Sequence, residues 1–500
     1  MKNILEMLER SAERFPDKYV FRDEITDMTY TEFLRTAKAI GTDIAKNGIN
    51  NKPIAVIAER SAGCLAAMFG VLYSGNFYTV IDSEMPPERV KAIFDTLKPA
   101  AAAVTEGCLA LLEKTDFSGK VINYEIAKDC PADSNILGKI RDNMIDTDPA
   151  YALFTSGSTG IPKGAVVSHK AVLSYVKWYA DTFKIDENTV FGSQTPFYFS
   201  MSVSDVFSTV YAGAELNVIP KTLFSFPIKL LELLNERRVN TIYWVPSALC
   251  IIANWRVLDY GELKYIKKVL FAGEVMPTRQ LNYWIEKLPY ALFANLFGPT
   301  ETTDICTYYI VDRKFKDGET LPIGRACDNC DVFVLKEDGT KAMIGEEGEL
   351  YARGSFLAMG YYNNPEKTAA AFVQNPLNTA YPETVYKTGD LVKYNEKGEL
   401  IYISRIDFQI KHMGYRIELG EIEAAANALD YVTACAAVYD SNNDKIILVY
   451  EGKKRETAEI LSDLRLRLPE YMMPQVVKRI KSMPHNANGK IDRKKILEEI

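Results

Sequence analysis

Residues Thr155–Gly164 read TSGSTGIPKG and follow directly on the apolar segment Tyr151–Phe154. Small residues let a backbone approach an anion closely, and successive N–H groups and hydroxyls can then point at phosphate oxygens. Lys163 adds a positive charge. The segment is not a Walker A loop, because Gly164 follows the lysine where that loop has Ser or Thr. A solvated linker is the alternative, but a linker does not need Pro-Lys-Gly at a fixed place after a buried strand. The segment therefore predicts a phosphate-binding loop.

Strand-like and helical segments alternate on both sides of this loop. Lys52–Ala58 and Phe77–Ile81 have the pattern of buried strands, and Ala62–Tyr73 has that of a helix. Similar alternation returns between residues 190 and 296. This pattern is typical of parallel sheets covered by helices. From about Ile323, short strands are punctuated by Gly, Asp and Asn, which predicts a β-rich part.

The length of 500 residues predicts several domains, since single cores rarely grow past about 250–300 residues. We expect an α/β protein with a large domain over residues 1–405. It would contain two parallel-sheet subdomains and the β-rich part, at about 323–405. A small α+β domain is expected over residues 408–500, after a boundary near Arg405–Asp407.

Bulk properties exclude several classes of protein. The net charge is -7, and the sequence contains no run of Lys and Arg that would indicate nucleic-acid binding. We therefore expect no nucleic-acid partner. The longest apolar runs, such as Cys64–Tyr73, are shorter than the roughly 18–20 residues of a membrane span. The charged, helical start is unlike a signal peptide, so we expect a cytoplasmic protein without a membrane partner. None of the three histidines has metal-ligand spacing.

Further motifs along the chain occur together with TSGSTGIPKG. They are FGPTETT (297–303), GELYARG (348–354), YKTGD (386–390), RIDFQIKHMGYRIELGEIE (405–423) and NGKIDR (488–493). Together they resemble, in type and order, the motifs of the adenylate-forming superfamily, which includes acyl-CoA synthetases, luciferases and nonribosomal peptide synthetase adenylation domains. The resemblance covers the whole chain. It is strongest to the amino-acid-activating adenylation domains and to D-alanine–D-alanyl carrier protein ligase. The resemblance implies a large domain followed by a small, mobile C-terminal domain.

The resemblance implies an ATP-dependent ligase. A carboxylate attacks the α-phosphorus of ATP to give acyl-AMP and pyrophosphate, and a thiol then takes the acyl group. Lys490, Glu301, Thr155 and Lys163 are the implied catalytic residues, and Glu301 is the implied Mg²⁺ ligand. Charge neutralisation and alignment should dominate catalysis, since two anions must meet.

The resemblance also implies a nucleotide site. Phe297 would pack on adenine, Asn295 would pair with its amino edge, and Asp390 would accept the ribose hydroxyls. The implied ATP contacts are Thr155, Ser156, Gly157, Ser158, Thr159, Gly160, Lys163, Gly273, Glu274, Val275, Asn295, Phe297, Gly298, Thr300, Asp390, Arg405 and Lys490.

Two features of the C-terminal motifs concern the thioester step. Asp407 resembles the hinge about which the small domain turns between the half-reactions. After that turn, Lys490 would leave the site, and the loop Lys411–Gly414 would face the incoming thiol.

The pocket for the acid departs from the α-amino-acid pattern. Enzymes of that type have Phe-Asp-x-Ser, in which the Asp pairs with the α-ammonium, whereas Ser200 stands at that position here. A buried ammonium without a partner costs several kcal/mol. Asp304 places a carboxylate on the implied pocket wall, where it faces solvent, bonds a nearby backbone group or meets a donor at a non-α position of the substrate. The implied pocket consists of Ser200, Met201, Ser204, Tyr243, Leu270, Ala272, Leu296, Asp304 and Ile305.

The substrate therefore remains open between an aryl acid such as a hydroxy- or aminobenzoate and a β- or ω-amino acid. D-alanine or another α-amino acid is the alternative. The motifs favour a separate phosphopantetheinyl carrier protein over CoA as acceptor, with Lys411, Arg416 and residues 490–495 as candidates for a basic docking patch. A non-catalytic nucleotide-binding protein and a luciferase-like oxidase are the competing classes. The presence of Lys163, Glu301, Asp390 and Lys490 argues against a non-catalytic protein. The carrier-type C-terminal motifs argue against an oxidase.

Overall fold

The structure, a computed structural model, describes residues 1–157, 161–406, 409–441, 443–484 and 491–499, without the side chains of Lys494 and Glu499. Its helices are Leu5–Arg14, Tyr30–Ala45, Ala62–Tyr73, Pro87–Leu97, Leu109–Glu113, Tyr124–Ala127, Ser134–Asn143, His169–Phe183, Met201–Ala212, Pro227–Glu236, Pro246–Asn254, Thr278–Lys287, Pro365–Ala371, Leu419–Asn427, Thr457–Arg465 and Arg493–Glu499. Among the described residues, no helix is both long and apolar enough to cross a membrane.

Local sequence explains the helix starts. Thr29 and Glu32 form a reciprocal capping box at the start of Tyr30–Ala45, and the Ser61 hydroxyl accepts the Cys64 N–H at the start of Ala62–Tyr73. The second of these helices is apolar all round and is buried on every side. This is the behaviour expected of a helix packed inside a large core rather than on its surface.

A nine-stranded sheet forms one half of the N-terminal region. Its strands in spatial order are Arg325–Ala326, Thr307–Ile310, Leu292–Phe297, Lys268–Phe271, Thr241–Trp244, Val190–Ser193, Glu215–Val218, Tyr19–Arg22 and Asp27–Thr29. The strands from Leu292–Phe297 to Tyr19–Arg22 are parallel, and antiparallel strands close both edges. The buried parallel centre agrees with the near-continuous apolar runs in the sequence.

A seven-stranded sheet forms the other half. Its order is Gly360–Tyr361, Lys163–Ser168, Pro149–Thr155, Phe77–Asp82, Pro53–Ala58, Ala101–Val104 and Lys120–Asn123. Pro149–Thr155 and Lys163–Ser168 are antiparallel neighbours with Thr155 opposite Lys163. The TSGSTGIPKG segment is therefore the connection of a hairpin whose first strand lies in the parallel sheet.

The β-rich part is an antiparallel five-stranded sheet, as the sequence pattern predicts. Its strands are Cys330–Leu335, Glu347–Gly354, Thr384–Tyr394, Phe372–Gln374 and Leu400–Arg405. The chain beyond it begins with a hairpin, Gln409–His412 paired to Tyr415–Glu418, and continues with a three-stranded sheet of Val432–Asp440, Lys445–Gly452 and Val476–Arg479. The sequence analysis predicted a small α+β part there without separating the two short strands of the hairpin.

The hydrophobic core is divided in the same way. One continuous core joins the two parallel sheets and the adjoining part of the β-rich sheet, ending at Leu400. A separate core, which includes Ile417, Leu448 and Met473, holds the C-terminal part together. The hairpin contributes Ile417 to this second core, and its placement determines the geometry of the site described next.

Candidate active site

A cavity lies between the carboxyl ends of strands from both parallel sheets and the hairpin Gln409–Glu418. Ligands of α/β proteins bind at such strand ends, because the chain leaves the sheet there through short loops. The residues implied by the sequence that line it are Thr155, Ser156, Ser200, Met201, Ala272, Gly273, Gly298, Thr300, Asp304, Ile305, Asp390, Arg405, Lys411 and Gly414.

The phosphate loop contacts the C-terminal hairpin. Ser156, which is buried, donates its hydroxyl proton to the Arg416 carbonyl oxygen over 2.7 Å and accepts the Glu418 N–H over 3.0 Å. A Cβ atom added at Gly157 would lie 2.0 Å from the Ile161 carbonyl oxygen, so the loop closes too tightly for a larger residue. Ser158, Thr159 and Gly160, also implied in phosphate binding, lie outside the described residues.

Glu301 is completely buried and carries its charge inside the protein. Its Oε2 accepts a hydrogen bond from Arg416 Nη1 over 2.6 Å, and its Oε1 accepts one from the Tyr361 hydroxyl over 2.6 Å. Lys163 Nζ lies 3.9 Å from Oε1. Burial opposes ionisation of Glu301, but Arg416 and Lys163 outweigh it and hold the pKa of the carboxyl below its usual value. Burial and the nearby Arg416 lower the pKa of Lys163 to about 8.

The hairpin is held at the cavity by a second carboxylate. Glu274 Oε1 accepts the Gly414 N–H over 2.6 Å, and Glu274 Oε2 accepts the Ser247 N–H over 2.7 Å. Tyr415 stacks on Tyr471 with ring centroids 3.8 Å apart. The resemblance assigned only the backbone of Glu274 to a site, so its side-chain contact with the hairpin is a feature that the motifs did not reveal.

The implied nucleoside residues lie on neighbouring strands. Arg405 Nη1 lies 3.1 Å from Asp390 Oδ1, and these residues are directly paired in the antiparallel sheet. Lys411 Nζ lies 4.3 Å from the centroid of the Phe297 ring, so the face implied for adenine carries a lysine here. Asn295 Nδ2 donates to the Pro322 carbonyl oxygen over 2.8 Å, which leaves its side-chain oxygen as the acceptor that an adenine amino group requires.

Asp304 is buried on the cavity wall and does not face solvent. Its Oδ2 accepts hydrogen bonds from Ser204 Oγ (2.7 Å), the Tyr243 hydroxyl (3.0 Å) and the Tyr175 hydroxyl (3.1 Å). Burial raises the pKa of Asp304 to about 6, although these hydroxyls oppose the shift. Tyr175 was not among the residues implied by the motifs, because it lies on the distant helix His169–Phe183.

Not every implied pocket residue lines the cavity. Leu270 and Leu296 are buried in the nine-stranded sheet away from its wall. Val275, which was implied as a nucleotide contact, is exposed and does not line the cavity either. Asp205 is buried on the helix Met201–Ala212 but does not line the cavity, so it does not replace the missing α-ammonium partner. Burial raises the pKa of Asp205 well above its usual range.

The expected basic docking patch is wrong for two of its members. Only 12% of the Arg416 side chain is exposed, and Lys411 lies inside the cavity against Phe297. Both cations therefore face the active site rather than a partner's surface in this structure. Lys490, the implied catalytic lysine, and Asp407, the implied hinge, lie outside the described residues.

A family profile described as "AMP-binding enzyme" matches residues 8–362. The chain belongs to the AMP-binding family of adenylate-forming enzymes. It is 31% identical to the D-alanine–D-alanyl carrier protein ligase of Bacillus cytotoxicus, over 99% of both chains. It is 32% identical to tyrocidine synthase 3 of Brevibacillus parabrevis, over 98% of this chain but only 7% of that protein. This member of the family is an ATP-dependent, AMP-forming ligase, as the motifs predicted.

The fold also matches solved adenylation enzymes. The Vibrio cholerae adenylation domain AlmE, in complex with glycyl-adenosine-5'-phosphate, superposes with a TM-score of 0.85 at 21% identity, over 99% of this chain and 97% of that one. At this identity the likeness concerns the architecture. It confirms the predicted class of two parallel-sheet α/β halves with a β-rich sheet.

The residues around Glu301 suit a divalent cation of the Mg²⁺ type. Such ions prefer a carboxylate and hydroxyl or phosphate oxygens, and Glu301 directly follows Thr300, which lines the cavity together with Thr155 and Ser156. In this structure the charge of Glu301 is instead balanced by Arg416. When bound, the metal would neutralise phosphate charge.

Proposed function

We propose that the protein is an acid–carrier protein ligase that activates a carboxylic acid as its adenylate and transfers the acyl group to the phosphopantetheine thiol of a separate carrier protein. The observation that supports this most is the cavity that joins Ser156 of the phosphate loop, Asp390, Asp304 and the hairpin at Gly414. Residues implied for the phosphate, the ribose, the acid and the thiol all line this cavity, which supports the proposal. Lys163 and Glu301 would hold phosphates and Mg²⁺.

The small C-terminal part would serve the two steps in turn. We place the large domain at residues 1–405 and the small domain at 408–500, with the hinge at Asp407. Lys490 would bridge the carboxylate and the α-phosphate during adenylation. The present arrangement, with Gly414 at the cavity, is the one expected for the thioester step.

A carrier protein rather than CoA is proposed as the acceptor. A relative that matches this chain over nearly its whole length is a carrier protein ligase. The C-terminal motifs of this chain resemble those of carrier-dependent enzymes. An acyl-CoA ligase is the second candidate, and comparing CoA with a phosphopantetheinylated carrier as acceptor separates the two.

The substrate is proposed to be an acid with a cationic group away from the α-carbon. Ser200 offers no charge to an α-ammonium, whereas Asp304 brings a carboxylate to the pocket wall. The hydrogen-bond partners of Asp304 described above are neutral hydroxyls, and within the described part of the chain it forms no ion pair. A β- or ω-ammonium would balance that buried charge. The phenol of a hydroxybenzoate or the amine of an aminobenzoate would supply only a hydrogen bond.

A panel of acids in ATP–pyrophosphate exchange tests this proposal. We expect exchange with β- or ω-amino acids to exceed that with hydroxy- and aminobenzoates, and exchange with D-alanine to be weakest. D-alanine as the best substrate would overturn the substrate assignment, while no exchange with any acid would count against the proposed activity.

A further inference from the structure

A second lysine lies beside the phosphate loop. Lys367 is the third residue of the helix Pro365–Ala371, and its side chain is part-buried. A Cβ atom added at Gly157, near the start of the loop, would lie 3.5 Å from Lys367 Nζ. Lys163 stands near the end of the same loop. Lys367 is absent from the loop motif, so the motif gives no reason to connect it with phosphate.

The position of Lys367 is fixed by the strand that follows the loop. The strand Gly360–Tyr361, which precedes the helix of Lys367, pairs with Lys163–Ser168. The Asn364 side chain accepts the Lys367 N–H over 3.1 Å, and the Thr368 hydroxyl donates to the Asn364 carbonyl oxygen over 2.8 Å. All of these contacts lie within the proposed large domain. Lys367 therefore keeps its place at the loop in any arrangement of the C-terminal part.

The charges around the loop favour a polyanion. Burial is the main cause that lowers the pKa of Lys163 to about 8, and repulsion from Arg416 and Lys367 adds to it against the attraction of Glu301. Cations gathered at one loop repel each other, and a bound anion of high charge relieves that repulsion. The triphosphate of ATP and free pyrophosphate both carry more charge than the phosphate of an acyl-adenylate.

Lys367 lies outside the cavity described above. On the side of the loop, Thr155 and Ser156 line that cavity, whereas Gly157 and Lys367 do not. An acyl-adenylate in the cavity would have its phosphate nearest to Thr155 and Ser156. The leaving phosphates of ATP extend away from the attacking oxygen, because the attacking and leaving oxygens stand roughly in line. They would therefore point out of the cavity along the loop, toward Lys367.

We propose that Lys367 is a further ATP-binding residue, which contacts the β- or γ-phosphate and the same oxygens of pyrophosphate. This inference rests on the proposed function, which places the phosphates of ATP at this loop. During adenylation the acid's carboxylate oxygen bonds to the α-phosphorus. The bond from that phosphorus to the bridging oxygen breaks, and its electron pair leaves with pyrophosphate. The Lys367 ammonium balances the charge that gathers there.

Calorimetric titrations of the full-length enzyme with ATP, pyrophosphate and AMP, each with excess Mg²⁺, test the assignment. Lys367→Gln should weaken binding of ATP and of pyrophosphate about tenfold, because each loses a charge-assisted hydrogen bond. Binding of AMP should stay within about twofold of wild type, since AMP has no β- or γ-phosphate. An equal loss for AMP, or unchanged binding of ATP and pyrophosphate, would overturn the proposal.

Three further variants separate charge from folding. Lys367→Arg keeps the positive charge, so its affinity for ATP should stay within about threefold of wild type. An Arg variant as weak as Lys367→Gln would count against a role for the charge. Lys367→Met keeps the apolar stem and should reproduce the Gln pattern, which decides the question if the Gln variant does not fold. Lys397→Gln, which removes an exposed lysine of the β-rich part, is the matched control and should change no affinity.

The wild-type enzyme distinguishes failure of this inference from failure of the proposed function. Wild type without ATP–pyrophosphate exchange for any acid would contradict the proposed function. Active wild type, together with Lys367 variants of unchanged ATP and pyrophosphate affinity, would contradict only the role of Lys367.

Discussion

At the scale of single residues, Asp304 and Ser200 distinguish this chain from the α-amino-acid pattern. From the sequence alone, Asp304 could face solvent, bond a nearby backbone group or meet the substrate. The structure buries it among hydroxyls on the cavity wall. A carboxylate in that setting is held in place by hydrogen bonds but has no counter-ion among the described residues, and a substrate can supply one. Activity should therefore depend on the charge of Asp304.

The pH profile of kcat/KM for the best β- or ω-amino acid should show this charge. Burial raises the pKa of Asp304 to about 6, so the carboxylate is ionised above that pH and protonated below it. We expect kcat/KM to fall as the pH decreases through about 6, because the ammonium loses its counter-ion. Asp304→Asn should have low kcat/KM and lack this step. The same step persisting in the variant would assign it to another group.

Lys490 is the second residue with a specific expectation. An ammonium that bridges the carboxylate and the α-phosphate acts only in adenylation, so Lys490→Ala should abolish pyrophosphate exchange. Transfer of the acyl group from preformed acyl-AMP should remain largely intact. Exchange at the wild-type rate in this variant would show that another group carries the transition-state charge.

At the scale of elements, the hairpin Gln409–Glu418 depends on Gly414. Its φ is +80°, and an added Cβ would lie 2.4 Å from Val245 Cγ1. Gly414→Ala should therefore displace the hairpin from the cavity and slow thioester formation about tenfold or more. Pyrophosphate exchange should stay within about twofold of the wild-type rate. Single-turnover transfer from preformed adenylate measures the rate of thioester formation, and isotope exchange between ATP and pyrophosphate measures adenylation.

Gly398→Ala is the matched control for this substitution. Gly398 has a similar φ of +74°, but an added Cβ there would meet no atom within 4 Å. The backbone strain is thus comparable and the steric contact is absent. Equal slowing of thioester formation in both variants would assign the effect to strain rather than to the contact with Val245.

At the scale of the whole molecule, two ion pairs join the C-terminal part to the helix Pro87–Leu97. Arg89 pairs with Glu421, and both side chains are buried. Arg467 pairs with Glu88 over 3.3 Å, and both are substantially exposed. Exposed pairs contribute little to stability, whereas loss of one partner leaves a buried charge uncompensated. The buried pair should therefore control how the two parts sit together.

Glu421→Gln should slow transfer of the acyl group to the thiol about tenfold or more. In the arrangement with the hairpin at the cavity, this substitution leaves Arg89 buried without its counter-charge. Pyrophosphate exchange should stay near the wild-type rate, since adenylation is proposed to use a different arrangement. Arg467→Gln should change either rate by no more than about threefold. A large loss of exchange in Glu421→Gln would show that the pair serves folding of the enzyme in general.

The sequence by itself determined the fold class and the positions of many strands and helices, and it predicts a phosphate-binding loop. Apolar periodicity and small-residue spacing are local properties, so segments such as Ala62–Tyr73 could be predicted to the residue. What only the tertiary structure decided are contacts between residues far apart in sequence. Arg416 meets Glu301 across 115 positions and Tyr175 meets Asp304 across 129, and no local pattern encodes such distances. The identity of Glu301 as a carboxylate was readable from the chain, but its counter-ion in this arrangement depends on how the C-terminal part packs against the large sheets.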